Sequence, residues 1–497
     1  MKKLLPQEVY NPLTIFGVGL AALSFGIIIF LSILEYLSDE THPYMGIITF
    51  IILPIFLVIG VFTVIFGIVR ERNRIKKGLE RSQQFPILNL NDPRERRLIF
   101  IFSVGTILFL FFSAFGSFKA FEYTETDEFC GLVCHTVMEP EYTAYLTSPH
   151  SRVGCVNCHI GSGAAWFVRA KISGSYQVYS VLFNKYSKPI PTPVKELRPA
   201  EGTCEQCHSP EHFFSEIKYE ADYYLYDEEN TKSSLSMLLK IGGGNSELGR
   251  TEGIHWHMNV SNKMEYIHTD EGRAEIPWVK VTSKDGSVKI FRDIESDFDE
   301  NNYNPKNLRV MDCIDCHNRP SHIYYPADKS VNLSLSLGRI DESLPYIKSV
   351  AVEALENTYS SKEAGIDSIS ISVNDFYKSN YPSVYADKKN IIEDGIVEVQ
   401  KIYNRNYFPS MGVNWREFPN HISHLYDEGC FRCHDGNHVS DEGEIIGKNC
   451  DLCHTIISQT TGDGEEIVSL SGIDFIHPEE LDIDVEELIC VDCHARK

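Results

Sequence analysis

All fourteen cysteines of this 497-residue chain lie beyond residue 129, and they fall into seven close pairs, each followed at once by a histidine. Six pairs read C-x-x-C-H: Cys155/Cys158/His159, Cys204/Cys207/His208, Cys313/Cys316/His317, Cys430/Cys433/His434, Cys450/Cys453/His454 and Cys490/Cys493/His494. The first pair, in EFCGLVCHTVMEPEY, is one residue wider: three residues separate Cys130 from Cys134, and His135 follows. Histidine makes up only 18 of the 497 residues, so seven histidines in these seven places are not chance. Whatever the motifs hold, the chain has to fold around it.

In C-x-x-C-H the two thiols form thioethers with the vinyl groups of one porphyrin, and the adjacent imidazole reaches the iron. A zinc site would draw four ligands from two pairs and has no need of a histidine after every second cysteine. Disulfides are permitted outside the cytoplasm but leave the histidines unexplained. Six covalent c-type haems are therefore expected. The wide motif is read as a seventh, because an extra residue lets the loop bulge without moving His135 relative to Cys134. It lies only about a dozen residues beyond the last long apolar run, which places that haem at a membrane surface.

Low-spin electron-transfer haems need a second axial ligand, usually histidine and sometimes methionine. Apart from the seven motif histidines and His42, ten remain: His150, His212, His255, His257, His268, His322, His421, His424, His438 and His477. Those within a few residues of a motif, His150, His212, His322, His424 and His438, rank first. In the HWH triplet, His255 and His257 point opposite ways if the segment is extended. One of them, His257, is expected to bind iron.

Three apolar runs, 13–34, 45–69 and 98–118, are long enough to span a bilayer, which takes roughly 20 helical residues. The 70–97 segment carries nine Lys/Arg, whereas the link between the first two runs is acidic and has none. The positive-inside rule then puts the N-terminus and this loop in the cytoplasm, and everything after about residue 120 in the periplasm of a bacterium. The first run is too long for a signal peptide and lacks a cleavage site, so it is expected to stay as an anchor in the inner membrane. Residues 1–121 hold 12 Lys/Arg against 8 Asp/Glu, and the remainder 34 against 61. Such acidity excludes nucleic acid as a partner. It suits a basic protein partner, and it equally suits plain solubility.

The expected fold is a multihaem cytochrome c, mainly α and irregular around seven haems, with a small β-hairpin insertion and three N-terminal transmembrane helices. Its divisions would be the anchor over 1–121, a three-haem cluster over 122–209 and an insertion over 210–325 with the fourth haem. A cysteine-free helical segment over 326–420 and a three-haem module over 421–497 follow. The hairpin is read in 276–293, which alternates and turns at Asp285-Gly286. Porphyrins fill much of such a core, so little other strand is expected.

The stretch YTETDEFCGLVCHTVMEPEY followed by SPHSRVGCVNCHIG, just beyond an apolar run, resembles the NapC/NirT (NapC/NrfH) family of membrane-anchored quinol dehydrogenases over about residues 100–208. With three apolar runs, seven motifs, MDCIDCHNRPSH and FPNHISHLYDEGCFRCHDGNH, the whole chain is similar to the heptahaem inner-membrane quinol oxidases of metal-reducing bacteria, the ImcH type. That resemblance implies oxidation of menaquinol to menaquinone at the periplasmic face, with electrons passed to periplasmic c-type cytochromes in anaerobic or extracellular respiration. It makes Met138 an axial ligand of the first haem, in place of or opposite His135. It puts Lys171, twelve residues past His159, beside the quinol. The family's acidic residue near that haem falls at Gln177, a departure that leaves Glu122 and Glu125 as substitute carboxylates. Two other readings stay open: an electron conduit within a larger membrane complex whose quinol chemistry lies in another subunit, and a periplasmic terminal reductase.

Overall fold

The computed structural model describes residues 7–37, 49, 52–79, 90–161, 163–194, 197–213, 215–243, 252–258, 262–422, 424–462, 464–479 and 489–494. The chain divides into two compact units, Met1–Phe129 with Ile160–Ser175, and Cys130–His159 with Tyr176–Lys497. His42 lies outside the described residues.

The first unit is built on α1 (Pro12–Leu37), α2 (Leu53–Lys76) and α3 (Pro93–Tyr123). Each is long and apolar enough to cross a membrane. Proline stands in the first turn of all three, where its missing N–H costs nothing. Asp92 adds a cap to α3, accepting from the Arg94 amide at 2.8 Å. The α1 and α2 backbones meet through small residues, as membrane helices do. A Cβ on Gly60 would come within 2.7 Å of the Ala21 amide nitrogen, and one on Gly17 within 2.7 Å of that of Val64. Asn11 closes the seam, donating to the Gly67 carbonyl at 3.2 Å. At 31 residues, α3 is roughly 46 Å long, well beyond a hydrocarbon core of roughly 30 Å. Its charged ends, around Arg94–Arg97 and Lys119–Glu122, flank the apolar stretch.

The second unit opens with α4 (His135–Leu146); α5 (Ala164–Leu182) is shared between the units. Beyond them the described residues hold two antiparallel sheets. One orders β1 (Ile217–Tyr224), β2 (Lys232–Leu239), β8 (His454–Thr460) and β9 (Glu466–Val468) as 1-2-8-9. The other places β3 (Lys263–Ile267), β4 (Trp278–Thr282), β5 (Val288–Asp293), β6 (Leu308–Val310) and β7 (His438–Ser440) in the order 6-3-4-5-7. The hairpin over 276–293 is β4–β5, turning through Gly286 at φ +84°. It is the centre of a sheet, however, and not an isolated insertion. Strand content exceeds the expectation because pairing is long-range: β2 takes β8, with Leu239 opposite His454, and β5 takes β7, with Asp293 opposite His438. Both joins bind the 210–325 segment to the 421–497 segment.

The cysteine-free stretch forms α6 (Ala327–Ser336), α7 (Ile347–Glu356), α8 (Lys362–Asn380) and α9 (Lys389–Asn406). Gly365, Ile369, Val373 and Tyr377 recur every four residues on the buried face of α8. Ile392, Ile396, Val399 and Tyr403 recur at intervals of three or four on α9. Gly365 lets the helices touch, since a Cβ there would lie 2.4 Å from Cζ of Tyr403. Each large apolar side chain fully buried in this layer contributes about 1.5–3 kcal/mol. The unit thus has an apolar protein core of its own.

Candidate redox centres

The motifs are single helical turns. Residues i, i+3 and i+4 share one helix face, so two sulfurs and an imidazole project together. The amide of the motif histidine donates to the first cysteine's carbonyl at 2.8 Å for His208, 2.7 Å for His317 and 3.0 Å for His434. Asp312 caps the Cys313–Cys316 turn, and Asp315 inside the motif reciprocates by accepting from the Asp312 amide at 2.8 Å. The wide motif runs instead through a π-helical turn, Phe129–Val133. A π-turn takes up one extra residue without breaking the helix. The α-helical pattern then resumes, with the Val137 and Met138 amides donating to the Cys134 carbonyl at 3.0 Å. Gly131 is buried under Tyr142, and a Cβ on it would sit 2.2 Å from the ring. His135 opens α4, but its side chain lies outside what is described. Met138 is half-buried one turn beyond Cys134.

Each of the six C-x-x-C-H histidines faces a second histidine from elsewhere in the chain. Ring centres are 6.2 Å apart for His159 and His322, 6.1 Å for His208 and His150, and 6.3 Å for His317 and His255. They are 5.8 Å apart for His434 and His257, 6.2 Å for His454 and His424, and 6.3 Å for His494 and His477. Metal–nitrogen bonds of about 2.0 Å on either side of an iron, plus the half-widths of two imidazoles, put ring centres roughly 6 Å apart. The pairs fit a metal between them, and the remaining contacts agree. Nδ1 donates to a backbone carbonyl in His322 (Glu141, 3.0 Å), His255 (Ile241, 2.6 Å) and His257 (Ile254, 2.7 Å). It does so too in His434 (Gly447, 2.9 Å), which leaves Nε2 as the ligand atom in these four. Burial pushes His159, His322, His317, His257, His424, His454 and His494 below the ordinary imidazole range, towards the neutral form that binds metal.

Of the distal histidines ranked from sequence, the fold brings His150, His257, His322 and His424 against a motif. Among the described residues His212 and His438 face none. His212 closes a 3-10 turn at Pro210–His212. His438 is buried with both ring nitrogens committed, Nε2 to the Ile276 carbonyl at 2.7 Å and Nδ1 to Asp435 at 2.9 Å. Although burial works against its charge, Asp435 holds it above the usual imidazole range. It ties β7 to the β4–β5 sheet and is not placed as a ligand. Sequence reasoning ranked two residues too low. His255 joins His257 because HWH lies in a 3-10 turn, Ile254–Met258, and not in a strand. Turned through 240°, the two rings reach different motifs. His477 lies 17 residues ahead of its motif partner, where proximity gives no signal.

None of the fourteen thiols is in a disulfide. Among the expected attachment sulfurs, Cys207, Cys450 and Cys493 are exposed, whereas the other eleven are half-buried. Cys493 lies in the short last helix, Cys490–His494, whose other cysteine, Cys490, is half-buried. Three residues along a helix is a rotation of about 60° short of a full turn. Cys493 therefore stands at the rim of the face it shares with Cys490, on the solvent side.

Among the described residues no group of three or more His, Cys, Asp or Glu side chains converges as a metal cluster. Consecutive motifs are neighbours in space. Burial pushes the Cys158 thiol up, and the charges of Cys204 and Cys207 push it the same way. Cys313 is likewise within reach of Cys204, Cys316 of Cys430, Cys430 of Cys453 and Cys490 of Cys450. Each of the six motifs thus lies near the next one in chain order.

In the first unit, the Lys171 ammonium lies 2.9 Å from Glu125 Oε1 and over the Phe121 and Phe167 rings, at 5.1 and 5.2 Å. The Glu125 side chain is only 11% exposed. Glu122 is spent differently, paired at 2.6 Å with Lys119 in open solvent. Gln177 stands six residues past Lys171, about 120° round α5, and is exposed. Of the two substitute carboxylates, Glu125 is the one that meets Lys171. Val168, Ile172, Tyr176 and Tyr179 leave an exposed apolar stripe along α5.

A membrane-anchored chain whose attachment motifs line up with paired histidines is a multihaem c-type cytochrome. Residues 93–191 match the NapC/NirT cytochrome c family, N-terminal region. Over 487 residues, 98% of this chain and 95% of the relative, the sequence is 41% identical to cytochrome c-type protein ImcH of Geobacter sulfurreducens. The chain belongs to this family, whose cytochromes carry covalently bound haem c and serve electron transport. No solved structure matches it significantly.

Proposed function

We propose that this protein is a menaquinol dehydrogenase of the bacterial inner membrane. It carries seven covalent haems, faces the periplasm with its haem domain, and hands electrons to periplasmic c-type cytochromes. The observation that carries the reading is the set of six paired-histidine sites in a chain that also holds a half-buried Lys171–Glu125 pair. Glu125 precedes Cys130 by only five residues. A quinol gives up two electrons and two protons, so a base has to stand beside the first electron acceptor. Bound haem supplies the one-electron chemistry. Lys171 would orient a quinol oxygen, and Glu125, 2.9 Å from its ammonium, would take the proton. The apolar stripe on α5 and the three anchor helices supply a route from lipid. The wide motif, with His135 and Met138, holds the first haem. Cys490 and Cys493 hold the last, and the exposed Cys493 turns one edge of that site to solvent, where a soluble partner docks.

A terminal reductase needs an open iron for its substrate. Six motif histidines are each faced by another ring, which leaves only the first site for that role. The test is reduction of the detergent-solubilised holoprotein by a menaquinol analogue in the absence of partners. Reduction is expected, and Lys171→Ala or Glu125→Gln should slow it by about 10²-fold or more with seven haems still attached by mass. Full activity in both variants overturns the site. Failure of the unaltered protein to be reduced favours the conduit reading.

A further inference from the structure

Arg198 is a buried guanidinium that meets no anion among the described residues. The residue is 6% exposed, and among those residues its Nε and Nη1 have no hydrogen-bond partner. A buried charge left unpaired costs several kcal/mol and persists only when something neutralises it. The surrounding backbone is built to hold the group still. A Cβ on Gly202 would lie 2.8 Å from Nη2 and 3.4 Å from Cζ, so the guanidinium rests on the turn Ala200–Gly202 and only glycine leaves room for it. Ala200 is fully buried, and its amide donates to Asp312 Oδ2 at 3.0 Å, pinning the turn to the capped start of the Cys313 motif. Arg198 itself is six residues ahead of Cys204. Motifs three and four meet here, since the turn that follows Arg198 leads into Cys204 and is bonded to the Asp312 cap of Cys313.

We infer that Arg198 binds a porphyrin propionate of one of these haems, an assignment that rests on the haem reading above. The chemistry is that of a planar fork receiving a carboxylate, for which arginine is better shaped than lysine. Every haem brings two carboxylates, and no side chain of the described residues supplies one to Arg198. The bond keeps that propionate ionised inside the protein and balances its charge next to the iron.

The experiment is a spectroelectrochemical titration of the full-length holoprotein in detergent, with Arg198→Lys, Arg198→Gln and Arg198→Met, after mass measurement has established the number of attached haems. A mass lacking the haems at motifs three and four in the unaltered protein would sink the haem reading itself, independently of this inference. With the haems in place, Arg198→Met and Arg198→Gln are expected to lower the midpoint potential of one couple and leave the others unmoved. Arg198→Lys should titrate nearer the unaltered protein. If Arg198→Met does not accumulate, the contrast between Gln and Lys carries the same information. All couples superimposing on the parent in Gln or Met, or Lys shifting as far as Gln, overturns the proposal. So does a parent titration that moves with added chloride or phosphate, because that marks an exchangeable anion and not a tethered carboxylate.

Discussion

What a histidine does in this chain is decided by its second ring nitrogen. Where a ring nitrogen is left over and another imidazole lies about 6 Å away, as in His255 and His477, the residue is placed as a ligand. Where both nitrogens are tied, as in His438, it is a structural joint. His477→Ala should therefore convert one low-spin haem to a high-spin, five-coordinate one in the EPR and visible spectra, while His438→Ala leaves the ligation of all haems unchanged and lowers stability. The attachment motifs were legible from seven repeats of one pattern. The distal set was not, because nearness in sequence says nothing about which turn carries a ring across a fold. Proximity chose His212 and His438, and passed over His477. The wide motif offers a second test at this scale. Gly131→Ala drives a methyl into the Tyr142 ring, an overpacking expected to cost about 1–3 kcal/mol. The first haem should then be under-attached by mass, with the other six intact.

At the level of elements, helices were readable and sheets were not. The buried positions of α8 and α9 recur at helical spacing within one stretch of sequence. β2 and β8, by contrast, are more than 200 residues apart, and β8 starts on a motif histidine, where the pattern is set by haem attachment. The ion pair at the joint of α6 and α7 makes its own prediction. Asp328 accepts from Lys348 at 2.7 Å and from the hydroxyls of Tyr226 and Tyr426 at 3.0 and 2.5 Å. Burial pushes its carboxyl up, but Lys348 and the two hydroxyls outweigh that and hold it below the usual carboxylate range. A depressed folded value means the pair stabilises fully above the unfolded pKa of about 3.9 and loses that contribution as pH falls through the folded value. Asp328→Asn should cost about 3–5 kcal/mol at neutral pH, since the Lys348 ammonium is left buried and unpaired. Urea melts should show that gap closing in acid, below about pH 4. A neutral-pH difference under about 1 kcal/mol would mean the pair is solvated in solution.

Over the whole molecule, charge and chain order act together. The anchor segment is basic and the rest strongly acidic, 34 Lys/Arg against 61 Asp/Glu beyond residue 121. If that field steers a basic cytochrome partner, the second-order rate of electron transfer should fall at least about tenfold between roughly 10 mM and 0.5 M salt. A flat salt dependence would leave the acidity to solubility alone. The turn at Ile254–Met258 sets a different property of the same chain. His255 reaches towards the Cys313/Cys316 site and His257 towards the Cys430/Cys433 site, so one peptide residue, Trp256, bridges two successive stations of the wire. Elsewhere along the line, the gap an electron tunnels across depends on how well separate segments stay packed. Here it is held by covalent bonds, and it would be the last hop to slow as the domain loosens with heat.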